Sequence, residues 1–322
     1  MSWLNRGWKY RKRVTITGET GAGTDYQVNL SIGDSAGGDF SLEGNCSSFP
    51  NDIQVTDSNG MITQDYWVED LTVDPISMWV EVKASLESNV DVNVYYSNPR
   101  ASSASDGDNT FLFFDDFSSD TLSTYSTVGT VSYDGTNDWI NLGADSNAHD
   151  AFIYKGSFGA AKTMTKINLG SSYVQDYPGV WGMLFKDGSN RIACGVQRGT
   201  TITAIPRTQI LIDGGADYFH GETGTPDWST WYWSKIGRSG TDYKGKVWEV
   251  GTNEPDWQHT RTMGSDIGNA GVGAASYEKA SFVDLFIVAK YILTEPAFAS
   301  AGAEELVPPH HGFTNFQIPG IV

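Results

Sequence analysis

Three aspartates are the side chains whose type and spacing most directly suggest chemistry. Asp115 and Asp116 lie inside the aromatic run FLFFDDF, and Asp284 lies in the run FVDLF much later in the chain. Calcium takes roughly six to eight oxygen ligands, drawn from carboxylates, carbonyls and water. If the two strands are neighbours, the three carboxylates would begin a calcium site. The alternative is that Asp115 or Asp116 caps a turn while Asp284 accepts backbone hydrogen bonds, and the sequence leaves both interpretations open.

A second set of residues has the chemistry of sugar recognition. Aromatic faces stack on the C–H surfaces of sugars, and neighbouring polar groups bind the hydroxyls. Residues of both kinds occur together in predicted turns: Tyr173, Asp176, Tyr177, Asp227, Trp228, Asp256, Trp257 and Arg261. The alternative is that these aromatic residues close the ends of a sandwich, and for Trp257 the structural role is favoured.

Catalytic patterns are weak. Retaining glycosidases need two carboxyl groups about 5–5.5 Å apart, and alternating E-x-D-x-E strands supply such pairs. No such run occurs here, because Glu249 stands alone in KVWEV and Glu254 lies in a turn. The GxSxG match at 33–37 lies in a glycine-rich loop with no histidine before His149, and the five histidines lack zinc-site spacing. We therefore predict no catalytic residue.

Composition excludes several classes of function. A net charge of −18 argues against a nucleic-acid partner, because phosphates would be repelled. The two cysteines, Cys46 and Cys194, show no CxxC metal spacing. No apolar stretch reaches membrane-spanning length, and the first residues lack the apolar region of a signal peptide. We expect no membrane span and no signal peptide in this chain.

The positions of these residues depend on a pattern of short strands. Apolar and polar residues alternate over residues 8–17, with Lys12 as the exception, and alternate again over 26–32, 76–82 and 90–96. Asn98-Pro99 ends the last of these strands, and 101–109 is a polar connector that we expect to be the least packed segment. Further strands follow without a helical segment of any length, as in an all-β protein.

The first part of the chain resembles a known family. The order WKYRKRVTI, DYQVNL, NDIQVTDSNG, YWVE, MWVEV, VNVYYSNP and FFDDF is similar to the DUF2341 family, over about residues 6–117. The resemblance implies a β-sandwich module of bacterial, archaeal and viral surface proteins, without established catalytic residues. Ser97 stands where the family usually has glycine.

The second part resembles concanavalin A-like, or laminin G-like, jelly-roll domains over about residues 110–295. The similarity is carried by TWYWSKIGRSGTDYKGKVWEVGTNEPDWQ and by the strand VDLF. These domains include lectins, carbohydrate-binding modules, glycosidases and structural viral domains, so the resemblance implies a fold and leaves the function open.

We therefore predict an all-β chain of two β-sandwich domains, at 1–109 and 110–300, the second a concanavalin A-like jelly roll. An irregular C-terminal tail at 301–322 would follow, in which Pro308, Pro309 and Pro319 exclude regular structure. Because Phe313, Phe316 and Ile318 of this tail are apolar, we expect it to pack on a neighbouring subunit of a homo-oligomer.

The expected function is non-enzymatic. We predict a structural or adhesion protein of an extracellular surface or virion that contacts a glycan or cell-surface polysaccharide through the jelly-roll domain. The alternatives are a polysaccharide-degrading glycoside hydrolase, or the carbohydrate-binding module of one.

Overall fold

The chain forms two units that consist almost entirely of β-strands. The computed structural model describes residues 3–5, 7–143, 149–170, 179–197, 205–212, 215–220, 229–277 and 280–308. The first unit combines Met1–Asp106 with Pro296–Val322, and the second is Gly107–Glu295. The predicted all-β class, with sandwich and jelly-roll folds, is confirmed. Within the described residues, no helix has the length and apolar character needed to cross a membrane.

The strands are numbered in chain order. The described strands of the first unit are β1 (Tyr10–Thr17), β2 (Tyr26–Gly33), β3 (Phe40–Ser41), β4 (Ile53–Asp57), β5 (Tyr66–Val68), β6 (Ile76–Val82), β7 (Val90–Tyr96) and, after the second unit, β23 (Ala297–Leu306). Those of the second unit are β8 (Phe113–Asp115), β9 (Tyr125–Val128), β10 (Val131–Asp134), β11 (Trp139–Leu142), β12 (His149–Phe158), β13 (Ala161–Leu169), β14 (Gly179–Asp187), β15 (Asn190–Gln197), β16 (Ile205–Ile212), β17 (Gly215–His220), β18 (Trp231–Ser239), β19 (Asp242–Glu249), β20 (His259–Thr262), β21 (Ala270–Tyr277) and β22 (Ser281–Lys290). A four-residue helix, α1, covers Gly107–Thr110, and a 3₁₀ turn covers Leu122–Thr124.

The first unit consists of two four-stranded sheets. Their strand orders are β23-β1-β7-β4 and β3-β2-β6-β5. The alternating apolar residues that predicted the strands are buried, and Val14 and Leu30 are both 0% exposed. Contacts join the two sheets, because the Tyr66 hydroxyl donates to the Ile53 carbonyl at 2.8 Å. The two sheets therefore share a core.

Lys12 breaks the alternation of β1 because it is buried with a partner. Its side chain is 6% exposed, and its ammonium lies 2.5 Å from the Glu43 carboxylate. The neighbouring Arg11 pairs with Glu305 of β23 at 2.7 Å. Buried ammonium and guanidinium groups require such partners.

The C-terminal segment completes the first unit. Strand β23 pairs antiparallel with β1 from Tyr10↔Leu306 to Thr17↔Ala297, and Phe298 stacks on Phe40 with ring centroids 5.8 Å apart. The structure thus differs from the predicted division, in which the jelly roll ended at 300 and a tail began at 301. The run AFASAGAEEL is rich in alanine and glycine, so its composition lacks the usual strand signal.

The predicted boundary between the two units lies close to the observed one. The first unit gives way to the second between Asp106 and Gly107, three residues before the predicted boundary at 109/110. Residues 309–322 lie outside the described residues. The expected homo-oligomer depends on Phe313, Phe316 and Ile318 of this segment, so it stays a prediction.

The connector is more closely bound than its polar sequence predicts. The Ala104 amide donates to the Tyr66 hydroxyl at 3.2 Å, the Ser105 hydroxyl accepts from the Val68 amide at 2.9 Å, and the Asp106 amide donates to the Tyr66 carbonyl at 2.8 Å. These bonds fix residues 104–106 along β5, so the expectation of a loosely packed connector is corrected here.

The second unit is a two-sheet jelly roll. Its described strands form an eight-stranded sheet, in the order β10-β11-β22-β13-β18-β19-β20 with β8 also on β22, and a seven-stranded sheet, in the order β17-β16-β15-β14-β21-β12-β9. Residues of both sheets build one apolar core, for example Ile140, Ile167 and Phe286 from the first and Phe152 and Ile192 from the second. Because one face of each strand packs in this core, apolar and polar residues alternate along the strands.

The run FLFFDDF begins the core of the second unit. Strand β8 pairs with β22 through Asp115↔Phe286, and Phe113 stacks on Tyr154 at 4.2 Å between ring centroids. Phe117 is 0% exposed within the core.

Candidate functional site

The eight-stranded sheet of the second unit has a second face that points away from the core. Ile140, Ile167 and Val283 point inward, so the residues next to them along each strand point outward. We call this second face the outer face. Most outward positions of a solvated sheet are polar, which makes aromatic residues there informative.

Three aromatic side chains form a continuous surface on the outer face. The Trp139 ring centroid lies 5.0 Å from that of Phe282 and 5.6 Å from that of Trp231. All three are half-buried, so part of each ring is open to solvent. We call Trp139, Phe282 and Trp231 the aromatic platform.

Strand register brings the platform together. Asn168 of β13 lies directly between Trp231 of β18 and Phe282 of β22. Phe282 in turn lies opposite Asn141 of β11, two residues from Trp139. Four adjacent strands therefore contribute one outward residue each at the same level of the sheet.

Two asparagines border the platform with different environments. The Asn141 side-chain oxygen accepts a hydrogen bond from the Trp139 indole N–H at 3.1 Å, which orients that ring. Asn168 is 4% exposed, and its side-chain oxygen is buried without a hydrogen-bond partner. A buried polar atom without a partner is unusual and calls for an explanation.

One row further along the strands, charged and aromatic groups adjoin the platform. The Lys166 ammonium lies 3.8 Å from the Asp284 carboxylate and 5.1 Å from the centroid of the Trp233 ring. Trp233 stacks beside Trp248 at 6.2 Å between centroids. The outer face thus continues as mixed aromatic and polar surface towards β19.

Burial is the main influence on the Asp284 carboxylate. Burial raises its pKa above the ordinary value, Lys166 opposes this effect, and the carboxylates of Asp116 and Asp138 raise the pKa further. A proton or a neutral hydrogen-bond donor is therefore favoured at this carboxylate over an additional negative charge.

A cluster of buried lysines lies farther along the outer face, formed by Lys162, Lys235 and Lys246. Their side chains are 4%, 7% and 8% exposed. Glu254 accepts from both Lys235 and Lys246 at 2.7 Å, and Glu295 pairs with Lys162. We call these five residues the lysine cluster.

The pKa shifts in the lysine cluster follow from burial and pairing. Burial lowers the pKa of Lys162 and of Lys246, and their glutamate partners offset only part of that effect. For Glu254 burial raises the pKa, but the two ammonium groups outweigh it, so the pKa lies below its ordinary value. Both glutamates lie at ion-pair distance from the buried ammonium groups and serve as their counter-ions.

Trp257 covers the lysine cluster. Its ring centroid lies 4.6 Å from the Lys246 ammonium and 5.8 Å from that of Lys235, and its ring meets Tyr291 edge-on at 6.0 Å. These contacts agree with the structural role that the sequence favours for Trp257.

The other predicted sugar-binding residues do not join the aromatic platform in the described structure. Asp256 is exposed in the loop before Trp257, and Arg261 is exposed on β20. The remaining five lie outside the described residues: Tyr173, Asp176, Tyr177, Asp227 and Trp228.

The predicted calcium site is not formed by the residues that the structure describes, which include no group of three His, Cys, Asp or Glu side chains that could hold a metal ion. Asp115 accepts hydrogen bonds from the Phe117 amide at 3.0 Å and from the Thr121 and Tyr125 hydroxyls, each at 2.7 Å. Asp116 accepts from the Ser118 amide at 3.0 Å. The hydrogen-bonding alternative therefore holds for both, because turn donors occupy their oxygens.

Sequence reasoning missed the platform residues Trp139, Phe282 and Trp231, together with Asn168. A signal was present, since WYW at 231–233 and WINL at 139–142 put tryptophan on the face opposite the core residues. The proximity of the three rings could not be read from the sequence, because it depends on the register between strands distant in the chain.

Comparison with known proteins finds one family model that matches part of the chain. Residues 50–142 match the model of a family described as a domain of unknown function, DUF2341. The predicted resemblance is confirmed. The matched range starts later than the resemblance in the sequence and extends through β11 of the second unit, so it includes Trp139. No curated protein sequence matches the chain.

Solved structures similar to the chain are remote. The carbohydrate binding module CBM66 from Bacillus subtilis is 10% identical, with a TM-score of 0.41 over 53% of this chain and 98% of its own. Xylan beta-1,4-xylosidase from Bacillus halodurans C-125 is 13% identical, with a TM-score of 0.46 over 71% of this chain and 46% of its own. The CBM2 module of the evolved Dit of Lactobacillus casei BL23 phage J-1 is 10% identical, with a TM-score of 0.43 over 55% of this chain and 94% of its own.

Proposed function

We propose that the protein is a non-enzymatic surface or virion protein that contacts a glycan through the aromatic platform of its second unit. The observation that carries this proposal is the continuous surface of Trp139, Phe282 and Trp231, half-buried on an outward sheet face. Rings that served only as core would point inward, and these three point away from it.

The platform has the chemistry that sugar binding requires. Flat aromatic faces offer apolar area for the C–H face of a pyranose, and rigid rings lose little conformational entropy on binding. Asn141 and Asp284 provide side-chain oxygens within the same part of the sheet for the hydroxyls. The arrangement therefore supports an extended glycan lying across the strands.

Within the four central strands of the sheet, the outward carboxylates lie too far apart to form a glycosidase pair, although Asp116 and Asp138 of neighbouring segments also act on Asp284. On the four central strands β22, β13, β18 and β19, the outward carboxylates are Asp284 and Asp242. Asp284 lies beside the row of Trp233 and Trp248. Asp242 lies six residues from Trp248, or about 20 Å along the strand, and glycosidase pairs are separated by only about 5–9.5 Å.

A glycan array followed by calorimetric titration tests the proposal. We expect one or more oligosaccharides to bind the full chain, and Trp231→Ala to weaken that binding by about tenfold or more, since truncating an aromatic anchor costs more than about 1 kcal/mol. Trp181→Ala is the matched control, because Trp181 is also half-buried but lies on the seven-stranded sheet.

Two results would contradict glycan contact through the aromatic platform. Absence of binding at millimolar glycan, or binding that Trp181→Ala weakens while Trp231→Ala does not, would remove the platform as the contact surface. Reducing ends released from a bound polysaccharide by the wild type, and not by Asp284→Asn, would favour the glycoside hydrolase alternative.

A further inference from the structure

A break in the regular pairing of β22 gives Asp284 an unusual position. Two consecutive residues of β13, Lys166 and Ile167, lie opposite Leu285 and Val283, and the register skips the residue between those two. That residue is Asp284, so β22 has a bulge at this carboxylate. Bulges are over-represented next to active sites, where they re-aim a side chain. Here the bulged residue lies beside the Lys166 ammonium, 3.8 Å from its own carboxylate.

Lys166 and Asp284 are too far apart to satisfy each other with a hydrogen bond. Such bonds span about 2.7–3.2 Å, which is shorter than the observed 3.8 Å. Among the residues that the structure describes, neither side chain has a hydrogen-bond partner. The two side chains are 19% and 33% exposed, and neither polar end is among the buried unpaired atoms of the described structure. A ligand can therefore reach both groups.

A single hydroxyl group fits between the two side chains. An ammonium only donates hydrogen bonds, a carboxylate only accepts them, and a hydroxyl does both. An oxygen about 2.8–3.0 Å from each of the two atoms forms a triangle whose third side is the observed 3.8 Å. That oxygen can accept from Lys166 and donate to Asp284. An ether or ester oxygen in the same place could only accept, and would leave Asp284 without a donor.

The pair lies next to the aromatic platform. Asp284 follows Phe282 by two residues on β22, about 7 Å along the strand, and Lys166 lies opposite Trp233, two residues from Trp231. We propose that Lys166 and Asp284 together bind one free hydroxyl of the sugar on the platform, or of the next sugar in the chain. This inference rests on the proposed glycan contact. It makes the pair a specificity determinant that selects glycans in which this hydroxyl is unsubstituted.

Combined changes in protein and ligand isolate this contact. The probes are neutral oligosaccharides of glucose, mannose, galactose and xylose, each with deoxy and O-methyl derivatives at single positions, titrated calorimetrically against the full chain. We expect one position at which removal of the hydroxyl weakens binding to the wild type by about tenfold or more, because two hydrogen bonds to charged groups are lost. O-methylation at that position should also weaken binding, because Asp284 loses its donor.

Two variants assign that loss to the pair. In Lys166→Met, which keeps an apolar stem, and in Asp284→Ala, removal of the same hydroxyl should cost much less than in the wild type, because one of the two bonds is already absent. The unfolding midpoint should change little in both, since a partly exposed pair contributes little to stability. Asp65→Ala is the matched control, because Asp65 also pairs with a lysine, is 37% exposed and lies in the first unit; the cost should there equal that of the wild type.

The outcomes separate this inference from the proposed function. If oligosaccharides bind and Trp231→Ala weakens them, but no hydroxyl shows a cost that depends on Lys166 and Asp284, the hydroxyl contact is wrong while the glycan function stands. Equal affinity for the hydroxyl and O-methyl forms at every position would overturn the role of Asp284 as acceptor. If no glycan binds, both proposals fail.

Discussion

Glu254 should contribute more to stability than any exposed ion pair of the chain. Its carboxylate lies 2.7 Å from each of the ammonium groups of Lys235 and Lys246, whose side chains are 7% and 8% exposed, and its own side chain is 38% exposed. Replacing Glu254 with alanine would leave two buried ammonium groups without their counter-ion.

The magnitude follows from the exposure. Removing one partner of a fully buried ion pair costs about 3–5 kcal/mol, and an exposed pair contributes about 0–1 kcal/mol. Because the ammonium groups are buried and the carboxylate is partly solvated, we expect Glu254→Ala to lower the free energy of unfolding by about 2–3 kcal/mol. In a unit of this size that corresponds to a fall in Tm of about 5–10 °C.

Differential scanning calorimetry measures this effect, with Asp65→Ala as the control. Asp65 and Lys83 form an ion pair at 2.9 Å in which the side chains are 37% and 36% exposed, so its loss should cost less than about 1 kcal/mol. Equal effects of the two variants would refute the reasoning, since the buried lysines would then be stable without Glu254.

The pH dependence of stability provides a second test of the role of Glu254. The pKa of Glu254 in the folded protein lies below its ordinary value of 4.5. Its stabilising effect is therefore complete above that ordinary value and is lost as the pH falls through the lower folded pKa. The stability difference between wild type and Glu254→Gln should disappear in that acidic range and remain constant near neutrality.

Three further predictions concern other parts of the chain. Asp115→Ala should destabilise by about 3 kcal/mol, because it removes three hydrogen bonds to a buried carboxylate, and Asp116→Ala, with one exposed bond, should cost less than about 1 kcal/mol; similar unfolding midpoints for the two would contradict this. Chelator should leave the wild-type midpoint unchanged, and a fall would restore the calcium hypothesis. Truncation after Glu295 should lower the unfolding midpoint of the first unit because it removes β23, whereas truncation after Pro308 should leave that midpoint unchanged. Sedimentation of the chain truncated after Pro308 tests the expected homo-oligomer. A fall in particle mass to that of a monomer would support it, and an unchanged oligomeric state would count against it.

Local alternation predicted most of the strands, because burial of one sheet face produces it directly. Residues 28–32 show this, because Val28, Leu30 and Ile32 are buried whereas Asn29 between them is exposed. Lys12 broke the pattern in the sequence because its partner, Glu43, is supplied by a different part of the chain.

The candidate site could not be predicted in the same way. The sugar-binding residues predicted from the sequence were mostly in turns, whereas the platform consists of strand residues. Their rings come together only because of the register between strands that are distant in the chain. Strand β23 was missed for a related reason: its alanines take their strand conformation from the pairing with β1, not from their own propensity.

The return of β23 to β1 has a consequence for the order in which the chain can fold during synthesis. Tyr10 leaves the ribosome nearly three hundred residues before its partner Leu306, so one edge of β1 stays unpaired while the whole second unit is made. That unit can close without β23, since β8 pairs with β22 and the Leu112 amide donates to the Val288 carbonyl at 2.9 Å. Its closure brings residues 112 and 288 together and shortens the loop that β23 must then span. Until then the nascent β1 is an open edge on which another chain can pair, and the first unit to be synthesised is the last to be completed.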